Sequence, residues 1–235
     1  MKFFINAATF LALGAISLRG FVKFAMNECK NFQIAPQNGK TFVITGGNSG
    51  IGFYTALFLA ANGGQVIISS RSATKGAEAK EKILSQHPNA DVTVLPLDLS
   101  SYQSIKTFAS KLISEGRKID ALINNAGVMA IPTREVTLDG LEMQIGTNHF
   151  GHFLLTSLLL PLIKPNGRIV NHASSAHMFA SQDFVTKDLL SEKSYDPWIA
   201  YANSKLSNLY FTYELNKRLS ASGSSIRSIA VHPGT

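Results

Sequence analysis

Residues 40–52, KTFVITGGNSGIG, constrain the fold more than any other stretch of this chain. A short apolar run, residues 41–45, breaks into a glycine-rich turn and continues into FYTALFLA, residues 53–60, whose pattern is helical. Strand, tight loop and helix in that order form the opening unit of a dinucleotide-binding fold. Gly46, Gly50 and Gly52 divide the work. One lets the chain turn sharply, one lets the backbone approach a pyrophosphate, and one lets helix pack closely on strand. The helix start then offers unpaired N–H groups and its positive end to phosphates. Glycine punctuates many loops, so the turn alone does not separate a cofactor site from an ordinary bend.

The whole chain has 235 residues, a length that one α/β domain can fill. It is 45% hydrophobic and 16% charged, which marks a globular and rather apolar protein. Its 22 basic and 15 acidic side chains give a net charge of +7, favouring anionic ligands or an anionic membrane surface. Basic runs are short and no nucleic-acid module is visible, so nucleic-acid binding rests on net charge alone and is discounted. Cys29 is the one cysteine, which excludes an intramolecular disulfide, and no metal site is expected.

Residues 3–18, FFINAATFLALGAISL, are apolar, Arg19 interrupts them, and FVKFAM follows. A plain membrane-spanning helix wants about 20 apolar residues. Arg19 and Lys23 extend the usable length to Met26 if their side chains snorkel. A single N-terminal anchor over residues 1–26 is the preferred reading; a cleaved signal and an amphipathic helix are its competitors. Residues 27–39 read as a polar linker with Pro36 and Asn38-Gly39 as turn signals, and a nucleotide fold is expected over 40–235.

QVIISS, residues 65–70, reads as the second strand, and its end carries Ser70 and Arg71 rather than a carboxylate. A carboxylate there would take a ribose 2′-hydroxyl, whereas an arginine fork suits a 2′-phosphate. Lys75 adds positive field, so NADP(H) is expected over NAD(H); a solvated Arg71 is the plainer reading. Residues 73–86 read as a polar helix and 91–100 as a third strand ending near Pro96. Asp98, next to Leu99, has two roles open to it, an adenine contact or the N-cap of a helix over 101–115.

KIDALINNAG, residues 118–127, is a fourth strand and loop, where Asn124 and Asn125 are placed to tie strand ends together. A helix is expected from Leu138, and a longer one over 148–163 with Phe150, Phe153, Leu154 and Leu158 as its apolar face. His149 and His152 read as packing or surface histidines rather than metal ligands. GRIVNHASSAH, residues 167–177, reads as a fifth strand ending in Ser174-Ser175. YANSK, residues 201–205, opens a helix with Leu206, Leu209, Tyr210 and Tyr213 at apolar positions.

Tyr201 and Lys205 fall one helical turn apart on one face. An ammonium beside a phenol stabilises the phenolate, so the phenol can exchange a proton with a carbonyl or alcohol oxygen. Ser175 is placed to hydrogen-bond the same oxygen. Tyr-x-x-x-Lys alone is also an ordinary surface pair.

Taken together, TGGNSGIG, NNAG, Asn148, Ser174-Ser175 and YANSK resemble the short-chain dehydrogenase/reductase family over nearly all of residues 40–235. The resemblance implies an α/β, doubly wound, mostly parallel Rossmann sheet of order 3-2-1-4-5-6 with helices on both faces. It implies a catalytic set of Ser175, Tyr201 and Lys205, with Asn148 holding a water in the proton relay and Ser174 as a support. Thr45, Gly46, Asn48, Ser49, Gly50, Ile51 and Gly52 match the family's cofactor loop. Asp98 and Leu99 match its adenine contact, and Asn125, Ala126 and Gly127 belong to its NNAG. Pro233 and Gly234 look like the loop near the nicotinamide, whose ribose Lys205 would hold.

TNHFGHFLL, AYANSKL and AVHPG look like the subgroup of retinol dehydrogenases, the WW-domain oxidoreductase and the X-linked dehydrogenase/reductase. That likeness implies an NADP(H)-dependent oxidoreductase acting on a hydrophobic alcohol or its aldehyde or ketone, such as a retinoid, polyprenoid or steroid. It also implies association with endoplasmic reticulum membrane or lipid droplets, and a homodimer. Trp198, in the insert before Tyr201, has pocket mouth and plain packing open to it. A non-catalytic cofactor-binding or regulatory protein of the same fold is the alternative. By the family's pattern a seventh strand is missing after Thr235, so the chain is expected to be incomplete at its C-terminus.

Overall fold

The computed structural model describes residues 33–234. The expected anchor and Cys29 lie outside them. Six strands carry the fold: β1 (Thr41–Ile44), β2 (Gln65–Ser70), β3 (Val92–Pro96), β4 (Ile119–Asn124), β5 (Ile163–His172) and β6 (Arg227–Val231). They form one sheet in the order β3-β2-β1-β4-β5-β6, and each neighbouring pair is parallel. The expected order 3-2-1-4-5-6 is the observed one, and six strands make the sheet among the described residues.

Parallel strands need both faces covered, and the apolar runs supply that. Successive residues alternate between two cores. Val43, Ile67 and Leu122 face one side, where Ile105, Phe108 and Leu112 of α3 (Tyr102–Ser114) pack with Leu155 and Leu159 of α5 (Gly151–Leu159). Ile44, Ile68 and Ile123 face the other. There Ala56 and Ala60 of α1 (Gly50–Ala61) pack with Ala79 and Ile83 of α2 (Ala73–Gln86). Small residues on α1 let it lie close to the sheet.

Helix starts follow their caps. Ser72 accepts the Lys75 N–H at the start of α2, and Ser101 accepts the Ser104 N–H at the start of α3. Asp98 is therefore not the cap of α3. It sits three residues too early, and its carboxylate instead takes the Ser100 N–H and hydroxyl at 2.9 and 2.7 Å, fixing the turn after β3.

The middle of the chain departs most from expectation. Residues 137–142 form a tight turn with Gly140 at φ +82°, and helix begins only at α4 (Met143–Ile145), where the Glu142 carboxylate takes two N–H groups. The expected 148–163 helix is composite: a π-helical turn over Gly146–Phe150, then α5, then a 3₁₀ turn over Leu160–Leu162 that contains Pro161. Ile163 already belongs to β5, which ends at His172 rather than 177. Ser175 opens a 3₁₀ turn over Ser175–Phe179, capped by Ser174. The short helix α6 spans Phe184–Lys187.

The last helix, α7 (Pro197–Ala221), starts four residues before Tyr201, because Asp196 caps it through Trp198 and Ile199 and Pro197 fits its first turn. Its buried side is polar: Asn203, Ser204, Lys205, Asn208 and Thr212 point inward while Tyr210 and Tyr213 are exposed. Likewise α5 buries His152, Leu155, Thr156 and Leu159, and Phe153 is half exposed. Hydrogen bonding to the sheet end, described next, decides these faces over apolar spacing.

Candidate active site

A cleft of ≈ 550 Å³ opens at the C-terminal ends of the strands, on either side of the point where the sheet order reverses between β1 and β4. Gly46, Asn48, Ser49, Ile51 and Gly52 line one part of it. Gly46 takes φ +65° and Gly50 φ +53°, the left-handed region that glycine adopts freely. A side chain on Gly52 would meet Asn125 and, at 2.5 Å, the Gly46 carbonyl. Ser49 precedes α1 without capping it by its side chain, so the first N–H groups of α1 face the cleft with no acidic residue nearby in sequence. That is a cradle for phosphate.

Hydrogen bonds from β4 hold the loop. The Thr45 hydroxyl accepts the N–H groups of Asn125 and Ala126 at 2.9 and 3.0 Å, and Asn125 Nδ2 donates to the Thr45 carbonyl at 2.7 Å. His152 Nε2 lies 2.8 Å from the same hydroxyl, and its Nδ1 lies 2.9 Å from the Asn148 carbonyl. A carbonyl only accepts, so Nδ1 carries the proton and Nε2 takes the Thr45 hydroxyl. Complete burial holds the His152 pKa down at about 3, which keeps this arrangement neutral. The histidine is a structural pin, consistent with the packing role expected for it, and among the described residues no metal-binding group of three or more ligands occurs.

Asn124 links the strands on the other side. Its Nδ2 donates to Asn171 Oδ1 at 2.8 Å and to Thr156 Oγ1 at 3.0 Å, and Asn171 in turn donates to Thr212 and Ser228. One amide ladder thus joins β4, β5, β6, α5 and α7.

At the far end of the cleft, Ser70, Arg71 and Lys75 line the wall, and Asp98 and Leu99 stand beyond β3. At the other end stand Ala126, Gly127, Pro233, Tyr201 and Lys205. Lys205 Nζ lies 5.5 Å from the centre of the Tyr201 ring and donates to the His172 carbonyl at 3.1 Å. An ammonium has three donors, so two remain for a ligand. Burial pushes the Lys205 pKa down to about 8.

Five expected residues stand off the cleft wall. Thr45 is buried behind the loop, Gly50 is exposed at the first position of α1, and Gly234 lies just past Pro233. Asn148 is fully buried: its amide brackets Val128, accepting the N–H at 2.8 Å and donating to the carbonyl at 2.9 Å, and also donates to Ser204. Ser175 is half-buried in its 3₁₀ turn, just after the cleft-lining Ala173. Trp198 is exposed and not among the residues lining the cleft. The sequence reading passed over Val128, Met129, Thr147 and His172, which do line it. His172 had a signal, since it ends a parallel strand, where ligands gather.

The family model for short chain dehydrogenases matches residues 40–235. The chain belongs to the short-chain dehydrogenase family. It is 46% identical over 227 residues to retinol dehydrogenase 12 of Mus musculus, covering 95% of this chain and 69% of that protein. A crystal structure from Mycobacterium paratuberculosis superposes with a TM-score of 0.77 at 43% identity, covering 86% of this chain and 70% of that one. The Pseudomonas aeruginosa RhlG/NADP complex follows with a TM-score of 0.67 at 26% identity, over 86% of this chain and 75% of that one.

Proposed function

We propose that the chain is an NADP(H)-dependent oxidoreductase that interconverts a hydrophobic alcohol and its aldehyde or ketone, with Tyr201 as general acid and base. The observation that carries this is the union in one cleft of the Tyr201–Lys205 pair and a phosphate cradle ending in Arg71 and Lys75. The donor set fits NADP(H): two cations and no carboxylate at the end of β2, and glycine where the backbone must come close. The cofactor, when bound, supplies or accepts the hydride. The rest is done by this chain. The first turn of α1 would hold phosphate, Arg71 would pair with the 2′-phosphate, and Asp98 and Leu99 would flank the adenine. Lys205 would offer two N–H donors to the ribose, and its charge stands 5.5 Å from the centre of the Tyr201 ring. Tyr201 then gives its proton to the carbonyl oxygen, or takes it from the alcohol, and Ser175 steadies that oxygen.

Likeness to a retinol dehydrogenase supports an apolar alcohol of retinoid kind, with polyprenoid and steroid alcohols as further candidates. The apolar run over residues 3–18 supports association with a membrane, which we assign to the endoplasmic reticulum or lipid droplets. No helix among the described residues is long and apolar enough to cross a membrane. The half-exposed Phe153 and the exposed Tyr210 and Tyr213 support a homodimer through α5 and α7. Tyr201→Phe tests the central role. Turnover of a long-chain aldehyde should fall by about 10²–10⁴-fold, the usual worth of a general acid, while NADPH still binds. Unchanged turnover would remove Tyr201 from the chemistry.

A further inference from the structure

The loop after β4 forms the wall of the cleft beside Tyr201, with Val128 and Met129 facing into it. Side chains, rather than a neighbouring strand, hold its peptide groups. Asn148 brackets Val128. Two residues further, the Ala130 N–H donates to Gln144 Oε1 at 2.8 Å, and the Ile131 carbonyl accepts the Tyr195 hydroxyl at 2.7 Å. Ala130 sits at φ +50°, a conformation that a residue with a side chain keeps only when its surroundings fix it.

Gln144 is fully buried, and its amide is fully engaged. Nε2 donates to Tyr195 Oη at 3.0 Å and to the Pro197 carbonyl at 2.9 Å. Pro197 is the first residue of α7, the helix that carries Tyr201 and Lys205. One side chain therefore bonds the Met129 wall on one side and the start of the tyrosine helix on the other. Tyr195 closes the circuit by bonding both Gln144 and the loop. Met129 is more than half exposed, so the wall it offers to a ligand is apolar and only partly packed.

We propose that Gln144 and Tyr195 are positioning residues that set the gap between the Met129 wall and Tyr201, and so select apolar alcohols and carbonyls by bulk. The inference rests on the oxidoreductase reading above. Gln144 is fully buried and Tyr195 partly so, and cutting one of these bonds leaves the Gln144 amide with a group unsatisfied away from water, which costs more than the bond's net worth. A wall held this way has one position, and with the clamp cut it has several.

The test compares the full chain with Tyr195→Phe, which keeps the ring, and Gln144→Leu, which keeps the volume. Hydrogen exchange at Ala130 should quicken by roughly tenfold or more in Gln144→Leu, the worth of one buried bond left unmade. The ratio of kcat/KM for a short against a long apolar aldehyde should shift by roughly tenfold in both variants. The change should come through KM, with kcat and NADPH affinity held. A merely structural role would lower the melting temperature and leave that ratio alone. If Gln144→Leu fails to fold, Tyr195→Phe decides by the ratio and by exchange across residues 128–131. Unchanged exchange, or an unchanged ratio in a folded variant, overturns the clamp. A wild type that binds NADPH but turns over no carbonyl overturns the oxidoreductase reading instead, and the inference with it.

Discussion

In the proposed chemistry the most depends on Lys205. Ordinarily a lysine titrates near 10.5; burial brings this one to about 8, and one of its three donors is fixed on the His172 carbonyl. The charged form therefore prevails at neutral pH and is lost as pH rises through about 8. With it goes the positive charge 5.5 Å from the centre of the Tyr201 ring. For carbonyl reduction, kcat/KM should decline above about pH 8, since that parameter follows the free enzyme. A profile that stays flat well beyond that pH would show that Lys205 acts as a hydrogen-bond donor without its charge. The pair was legible in the sequence, because four residues on a helix bring two side chains onto one face whatever else surrounds them. Gln144 and Tyr195 were not: 51 residues separate them, and an amide and a phenol announce nothing until the chain folds.

Among the elements, those governed by local rules were the most readable. Strands β1 to β4 are short apolar runs closed by polar or glycine turns, and α2 spans the expected 73–86 with its serine cap. Between 137 and 163 a helix was expected and is present, but its start, its end and its π and 3₁₀ turns differ because tertiary hydrogen bonds outrank periodicity there. Glu142 caps α4 from inside the protein, Asn148 spends its amide on Val128, and the helix between them takes a π turn. Nothing in GTNHFGHF announces such a turn. The buried faces of α5 and α7 were misassigned for a related reason. Asparagine, threonine and lysine would ordinarily face water, but here the ends of β4 and β5 offer them partners. The apolar residues that spacing had placed inside, Phe153, Tyr210 and Tyr213, are left facing out. The start of α7 was readable and overlooked, since Asp196-Pro197 is a cap followed by a first-turn proline.

At the scale of the whole molecule, burial in and beneath the cleft floor keeps three imidazoles in their neutral form. Burial lowers His149 to about 4, His152 to about 3 and His172 to about 4, from an ordinary 6.5. Below 6.5 the unfolded chain gains protons that the folded chain refuses, so stability falls as pH drops from 6.5 toward 4. Urea midpoints measured from pH 7.5 down to about pH 5 should fall steadily, and His152→Asn should flatten part of that slope. A midpoint independent of pH across that range would mean that these rings are solvated. The sheet order was readable through the family resemblance, which carries the doubly wound topology with it. The same topology sets the phosphate cradle, the Arg71 end and the Tyr201 end along one crevice. The measurement that tests this most directly is a fluorescence titration of the purified full chain with NADPH and with NADH. The account predicts NADPH binding at least about tenfold tighter, the worth of a charge-assisted contact to the 2′-phosphate. Equal affinities, or a preference for NADH, would contradict it.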